Sequence, residues 1–396
     1  MDFRFPEPAV AFRRELRAFL QEELPEWWTG IFCDDERMFP FTRAFCKKLA
    51  AKNWLTMAWP KEYGGREADV WMQMVVREEM WGHGEPRGPQ YMNLNYIGPA
   101  IMMFGTGGQK DRYLKPMAAG DALWCQGFSE PGAGSDLAAI TTQAQDNGEG
   151  FVVRGQKIWT SYATAAYATA ADHCFLLART DPEASRYKGL SIFLVDMKTP
   201  GITVRPIPSM GGPVEFSEVF FDDVEIPYDC QLGPLHEGWM VAMSALAYER
   251  TGIAWHSSTE VVLNKLIEYV KTTNDAQGEP LAKRQAVREG LVRMHVRVRA
   301  AKLLCYRVIS DQAKGIERDE DPAISKVFAT ELGVFAGEVG MEILGSKGQL
   351  VASDPLAPLG GSIYSHWVHS IPMLIAAGSN EIQRNIIAQR GLALPR

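Results

Sequence analysis

Apolar residues recur at helical spacing along the first 120 positions of the chain. Phe12, Leu16, Phe19 and Leu20 line one face of a first predicted helix; Phe41, Phe45 and Leu49 line a face of a second. WPKEYGG, Trp59 to Gly65, interrupts that period with a proline and two glycines and predicts a turn. From Leu123 to about Cys230 the texture changes. Short apolar and β-branched runs at Phe151, His173, Leu190, Ile202 and Glu218 predict strands, punctuated by Gly and Pro as a small barrel or sandwich requires. After Gly233 the helical period returns and lasts to the end. Asp321-Pro322 predicts a helix start, with the aspartate as N-cap and the proline in the first turn. Helix, strand and helix in separate stretches predict an α+β multidomain protein. The expected divisions are an N-terminal helical domain over 1–120, a central β-barrel-like domain over 121–232 and a C-terminal helical bundle over 233–396.

Composition bounds this picture. A chain of 396 residues is too long for one hydrophobic core. With 46% hydrophobic and 22% charged residues it is an ordinary globular protein, and a net charge of −7 argues against broad nucleic-acid binding. The opening MDFRFPEPAVAFRREL lacks the apolar core and cleavage pattern of a signal peptide, and no apolar run is long enough for membrane insertion. Cys33, Cys46, Cys125, Cys174, Cys230 and Cys305 show no metal-type pairing, so free thiols in a reducing cytoplasm are expected, with no metal site.

Candidate chemistry concentrates in three places. WCQGFSEPGAGSD, Trp124 to Asp136, places glycines and hydroxyls behind an apolar strand. Bare backbone there permits close approach of a polar ligand, and Ser129 and Ser135 offer hydrogen bonds. A surface turn is the competing reading. QKIWTSYA, Gln156 to Ala163, ends a strand in an indole and two hydroxyls, a place to lay Trp159 flat on an aromatic ligand with Ser161 beside it. Both segments leave the same predicted β domain and so converge on one ligand. Third, the predicted helix from Gly238 to His256 is apolar nearly all round, with Glu249 and Arg250 as the formal charges between Gly238 and Trp255. Buried charges are costly unless paired or used; a structural ion pair and an active-site acid both fit.

Other signals are weaker. GFSEP, Gly127 to Pro131, resembles a nucleophile elbow but has Pro131 where the second glycine belongs. His366 and His369 have helical spacing without a companion metal motif and read as core or interface histidines. Lys283, Arg284, Arg288, Arg293, Arg297 and Arg299 make a basic helix, usually a solvated face. No Walker loop and no strand–GxGxxG–helix unit is present.

Taken in order, WPKEYGG, SEPGAGSD, QKIWTS, EILGSKG (Glu342 to Gly348) and EIQRNIIAQRGL (Glu381 to Leu392) resemble the acyl-CoA dehydrogenase family over nearly the whole chain. The resemblance implies a C-terminal four-helix bundle, FAD as cofactor, and oxidation of an acyl-CoA thioester to the trans-2-enoyl-CoA. It also implies electron transfer to an electron-transfer flavoprotein. Carried over by motif, Gln126, Ser129 and Ser135 lie where the family contacts flavin, pyrophosphate or substrate. Trp159, Thr160 and Ser161 lie where it covers one flavin face. Gln285, Glu342, Gly345, Ser379 and Glu381 fall in further cofactor-contacting motifs, and Arg250 joins Ser135 as a substrate contact.

Two departures from the family pattern matter. The usual catalytic glutamate sits in a Glu-Gly-Thr type motif, and here that position is Ala377, which cannot take a proton. Some members instead carry the base on the bundle helix just before an arginine, which is Glu249 followed by Arg250. Many members also have an Arg-x-Thr-Phe segment that reaches a neighbouring subunit's FAD. This chain has Asn274, Ala276 and Gln277 there, with Gln285 retained. In both respects it resembles the subunits that degrade steroid side chains, which form heterotetramers with a related chain. A homo-oligomer, a half-site or non-catalytic subunit, and an acyl-CoA oxidase remain alternatives. A bulky, branched or steroid side-chain acyl group is the substrate that the resemblance suggests.

Overall fold

The computed structural model describes residues 3–32, 35–165, 168–212, 215–250, 254–316, 318 and 320–395, without the side chains of 165, 168–169 and 247–250. The chain begins with helices α1 (Glu7–Glu23), α2 (Met38–Ala51), α3 (Val70–Gly82), α4 (Gln90–Met92), α5 (Gly98–Phe104) and α6 (Gly107–Ala119). Strands follow: β1 (Trp124–Gly127), β2 (Gln143–Asp146), β3 (Gly150–Ser161), β4 (Thr164–Ala165), β5 (Ala168–Thr169), β6 (His173–Arg179), β7 (Leu190–Asp196), β8 (Ile202–Ile207), β9 (Phe216–Pro227) and β10 (Gln231–Leu232). Helices α7 (Gly238–Arg250), α8 (Trp255–Thr272), α9 (Gln285–Gln312), α10 (Glu320–Leu344), α11 (Ser362–Met373) and α12 (Asn380–Ile386) complete it.

By internal contacts these elements form two compact units, each assembled from separated stretches of chain. One takes residues 34–68 and 87–249 and holds the sheet. Its strand order is β10-β7-β6-β2-β3-β9-β8, with β1 pairing parallel to β6. The pairing is mixed: β3 with β9 and β6 with β7 are antiparallel. Alternate residues face one core of Val153, Cys174, Leu176, Phe193, Val219 and Phe221. The predicted runs at Phe151, His173, Leu190, Ile202 and Glu218 all fall in strands. Beyond them, β2 was not expected from QAQD, because only Ala144 in it is buried. The predicted turn at Trp59–Gly65 is present: Gly64 is left-handed, and a Cβ on Gly65 would lie 1.9 Å from the Trp59 carbonyl oxygen.

The other unit takes residues 1–33, 69–86 and 250–396. Val262, Leu263, Leu266, Met294, Val298 and Leu332, from α8, α9 and α10, are central to its core. Phe12, Leu16, Phe19 and Leu20 are buried along α1 as their spacing predicts. Within this unit α1 and α3 are fastened by charge. Arg13 bonds Glu78 and Glu79 at 2.6 and 2.7 Å, and Arg17 bonds Glu79 at 2.8 Å. Glu78 also accepts from Tyr306 at 2.8 Å and meets His256 at 3.1 Å. Burial pushes the Glu78 carboxyl up. The His256 hydrogen bond and the charges of Arg13 and Lys302 outweigh it and hold the group at about 2.

Two helix expectations change. The stretch from Gly238 to His256 is not one helix: α7 closes at Arg250 and α8 opens at Trp255. Nor is α7 buried all round. Val241, Ala242 and Ala245 are inside, whereas Met240 is 44% exposed. Asp321 does not cap α10, which begins at Glu320; its carboxylate binds Arg307 in a two-point pair at 2.7 and 3.0 Å. Among the described residues no helix is long and apolar enough to cross a membrane.

Candidate active site

The glycine loop and the end of β3 are joined beneath the surface by a buried ion pair that the sequence reading did not single out. Lys157 on β3 and Glu130 in the loop are 2.8 Å apart, with side chains 0% and 4% exposed. The same ammonium donates to the Phe128 carbonyl at 3.0 Å. Glu130 accepts three more bonds, from the Thr141 amide and hydroxyl and the Thr142 amide, at 2.7 to 2.9 Å. Burial pushes the Glu130 carboxyl up, but Lys157 and these donors outweigh it and hold it at about 2. Burial draws the Lys157 ammonium down to about 8 while Glu130 pulls it back. A fully satisfied buried pair of this kind fixes register. The signal for it was an acid within the glycine loop and a lysine within the predicted strand.

Above this pair, the Ile158 amide donates to the Ser129 carbonyl at 2.9 Å, laying the loop against β3. Between Lys157 and Thr160 the pairing with β9 slips, a β-bulge that re-aims the intervening residues. Trp159 there has φ 60 and Tyr162 φ 58, both left-handed. Each such residue costs about 1–2 kcal/mol and persists only where its surroundings impose it. The bulge turns the Trp159 indole outward, 57% exposed, with its edge against Phe216. Ser161 is half-buried beside it. Thr160 points inward, and among the described residues its buried hydroxyl and that of its cross-strand partner Ser217 have no hydrogen-bond partner. Gln126 accepts a bond from the Tyr96 hydroxyl at 3.1 Å. Ser129 is half-buried, and Ser135 is exposed at the loop tip. A Cβ at Gly132 or Gly134 would meet nothing within 4 Å, so no internal contact requires glycine there.

The remaining candidates belong to the helical unit and form two groups. Ser379 caps α12, accepting from the Ile382 amide. Glu381 is exposed, and hydrogen bonds from its own backbone and from Ser379 hold its carboxyl low. Just before them Ala377 (φ 55) and Gly378 (φ 82) make a left-handed pair, with the Gln383 side chain donating to both carbonyls. Asn380 fastens this turn to α10 through Lys326 and Thr330 at 2.8 and 3.1 Å. Glu342 and Gly345 lie at the far end of α10, and Thr330 to Glu342 spans about 18 Å at 1.5 Å per residue. Gln285 opens α9 close to that far end, since Gly290 lies against Val339. Gln285, Glu342 and Gly345 are all exposed. Where the family's Arg-x-Thr-Phe segment would fall, the chain instead folds on Asp275, which accepts from the Gln277 and Glu279 amides and pairs with Arg284.

Glu249 and Arg250 close α7, and their side chains lie outside the described residues. His366 and His369 bond backbone carbonyls of Gly333 and Ser365, and His369 stacks on Phe32 at 4.4 Å. Of the basic helix, Lys283 pairs with Glu279 and Arg297 lies over the Phe335 ring, while Arg288, Arg293 and Arg299 are exposed.

Comparison with known proteins now decides the family. Family profiles described as the acyl-CoA dehydrogenase N-terminal, middle and C-terminal domains match residues 6–121, 125–224 and 236–392. The chain belongs to the acyl-CoA dehydrogenase family. It is 33% identical over 397 residues to acyl-CoA dehydrogenase IpdE1 of Mycobacterium tuberculosis, covering 97% of each chain. Among solved structures it is similar to the Tcur3481-Tcur3483 steroid acyl-CoA dehydrogenase, with TM-score 0.88 and 30% identity over 100% of both chains. It is also similar to the ChsE4-ChsE5 complex from Mycobacterium tuberculosis, with TM-score 0.87 and 31% identity over 100% of both chains. As a member of this family the chain is an oxidoreductase with FAD as cofactor. The residues present fit that group. An exposed indole at a bulge offers an aromatic face, and two glycines without internal cause leave bare backbone in the loop fastened to the same strand.

Proposed function

We propose that this acyl-CoA dehydrogenase removes the proton alpha to the thioester carbonyl with Glu249 and forms a trans-2-enoyl-CoA. The observation that carries this reading is at Ala377. The position where most of the family keeps its base holds a methyl group in a left-handed turn, so the proton must go elsewhere. Glu249, at the end of an otherwise apolar α7 and followed by Arg250, is the acid that matches the family's alternative location. A carboxylate in a dry site gains the basicity this step needs. Bound FAD supplies the acceptor for the hydride leaving the beta carbon. Trp159 and Ser161 form the wall against the flavin, with Thr160 behind them, and Gln126, Ser129 and the glycine loop border it. Ser135 and Arg250 meet the substrate.

The two groups in the helical unit support a multi-subunit reading. Ser379 and Glu381 serve one flavin, and Gln285, Glu342 and Gly345 serve another, because about 18 Å of α10 separates them. The loop closed on Asp275 has Asn274 and Gln277 where the family's arginine and aromatic would complete a symmetric site. This favours assembly with a homologous subunit, as in the solved complexes named above. The substrate class in this reading is a bulky or steroid side-chain acyl-CoA, with an electron-transfer flavoprotein as acceptor. The three-part division at 120 and 232 belongs to the same reading.

The test is to purify the chain alone and together with a homologous subunit, then measure FAD content and anaerobic bleaching of the flavin by a panel of acyl-CoAs. The chain alone should hold less than one FAD, and the mixed assembly should bleach with bulky acyl-CoAs and yield enoyl-CoA. Full occupancy and turnover by the isolated chain would contradict the shared-site reading. No bleaching with any acyl-CoA would contradict the dehydrogenation.

A further inference from the structure

Asn93 and Tyr96 are buried polar residues that no step above uses, and both sit on one widened turn. Between α4 and α5 the helix opens into a π-type turn over Asn93–Ile97. Such turns are rare and concentrate at functional sites. Trp59 of the WPKEYGG segment packs into this one. Its indole donates to the Leu94 carbonyl at 3.0 Å, and a Cβ on Gly98 would lie 2.2 Å from its ring. The turn runs along the edge of β1 opposite β6. There Asn93 does what a neighbouring strand would do: its side chain donates to the Ala122 carbonyl at 2.8 Å and accepts from the Trp124 amide at 3.1 Å. Two residues further along β1, the Gln126 side-chain oxygen accepts from the Tyr96 hydroxyl at 3.1 Å. Tyr96 is buried and Gln126 half-buried. Among the described residues the Gln126 side-chain nitrogen has no hydrogen-bond partner, so its two N–H donors are left for a ligand.

We propose that Tyr96 is a positioning residue for the flavin site, turning the Gln126 amide so that its NH2 group, and not its oxygen, meets the flavin. This inference rests on the reading that Gln126 borders the flavin. A glutamine amide has two ends of nearly equal shape and opposite polarity, so a neighbour must choose between them. A phenol is a better donor than acceptor, because its oxygen shares electrons with the ring. It therefore retains the amide oxygen and leaves the NH2 group outward. A flavin ring presents mainly carbonyl oxygens and bare nitrogens, which take donors. A donor placed there also strengthens as negative charge develops on the ring. The Asn93 bonds make the arrangement rigid. They fix the Tyr96 turn to Ala122 and Trp124, on the strand that carries Gln126 itself.

The experiment measures the FAD dissociation constant and the flavin reduction potential on the assembly that retains flavin. It compares wild type, Tyr96→Phe, Gln126→Ala, Gln126→Glu and the double variant Tyr96→Phe/Gln126→Ala, with thermal unfolding of each apoprotein as the check on folding. Tyr96→Phe keeps the ring and removes one oxygen. It should weaken FAD binding by about threefold to tenfold, the span of one net hydrogen bond, and lower the potential. Gln126→Ala should do both at least as strongly. In the Gln126→Ala background, Tyr96→Phe should change neither quantity, because the hydroxyl acts through the amide. Gln126→Glu keeps an acceptor for Tyr96 but has no NH2 group, and should bind FAD no better than Gln126→Ala. A Tyr96→Phe variant that matches wild type, a full additional loss in the double variant, or wild-type affinity in Gln126→Glu would each overturn the proposal. Wild-type affinity and potential in Gln126→Ala would instead remove Gln126 from the flavin site, and an assembly that binds no FAD would end the flavin reading altogether.

Discussion

Lys157 holds the candidate site together from below. Its ammonium is the counter-charge for a carboxylate that water does not reach, so removing it strands Glu130 inside the sheet. Lys157→Met should lower stability by about 3–5 kcal/mol, read as a shifted urea midpoint. The double change Glu130→Gln/Lys157→Met should recover much of that loss, because no buried charge is then left unpaired. Equal loss in the single and double variants would mean that the side chains' packing matters more than their charge. The hydroxyls and indole that sequence alone picked out depend on this pair. Trp159 and Ser161 were legible as residue types beside a predicted strand. The bulge that turns Trp159 outward was not, because it arises from a register slip against β9, some sixty residues further along the chain.

Among elements, α7 carries the proposed base, and Gly238 seats it. A Cβ on Gly238 would lie 2.5 Å from the Ser191 Cα, the backbone of β7, and no side chain can yield there. Gly238→Ala should therefore shift α7, cost more than about 2 kcal/mol in thermal unfolding, and lower kcat with it. Gly107→Ala, where a Cβ would meet nothing, is the matched control and should leave both unchanged. The strands with apolar alternation were readable from the sequence, whereas β2 was not, since its polar residues are shaped by its partners. The continuous apolar pattern from Gly238 to His256 hid the change from α7 to α8, because hydrophobic period carries no mark of where one apolar helix stops and the next begins.

For the whole molecule, chain order and compact units diverge. Residues 1–33 and 69–86 join 250–396, and Glu78 is a principal fastener, with Arg13, His256, Lys302 and Tyr306 around it. No local pattern announces that partnership, since its members lie up to 228 positions from Glu78. It has a pH signature. Glu78 is held at about 2 against an ordinary 4.5, so the unfolded chain binds more protons between those values. Its stabilising effect is fully present above the ordinary value and is lost as pH falls from 4.5 towards 2. Glu78→Gln should thus destabilise the protein by roughly 3 kcal/mol at pH 7 and by much less at pH 3, measured by denaturant unfolding at each pH. A loss that does not change with pH would show that the glutamate acts by shape alone.

The identity of the base is the central claim, and one variant tests it most directly. Glu249→Gln and wild type, loaded with FAD, are mixed anaerobically with an acyl-CoA that bleaches the wild-type flavin, and the visible band is followed in a stopped-flow spectrometer. The variant should still bind the thioester, seen as a perturbed flavin spectrum, but its band should persist, with reduction slowed at least about a thousandfold. Bleaching at the wild-type rate would place the base elsewhere and contradict the account.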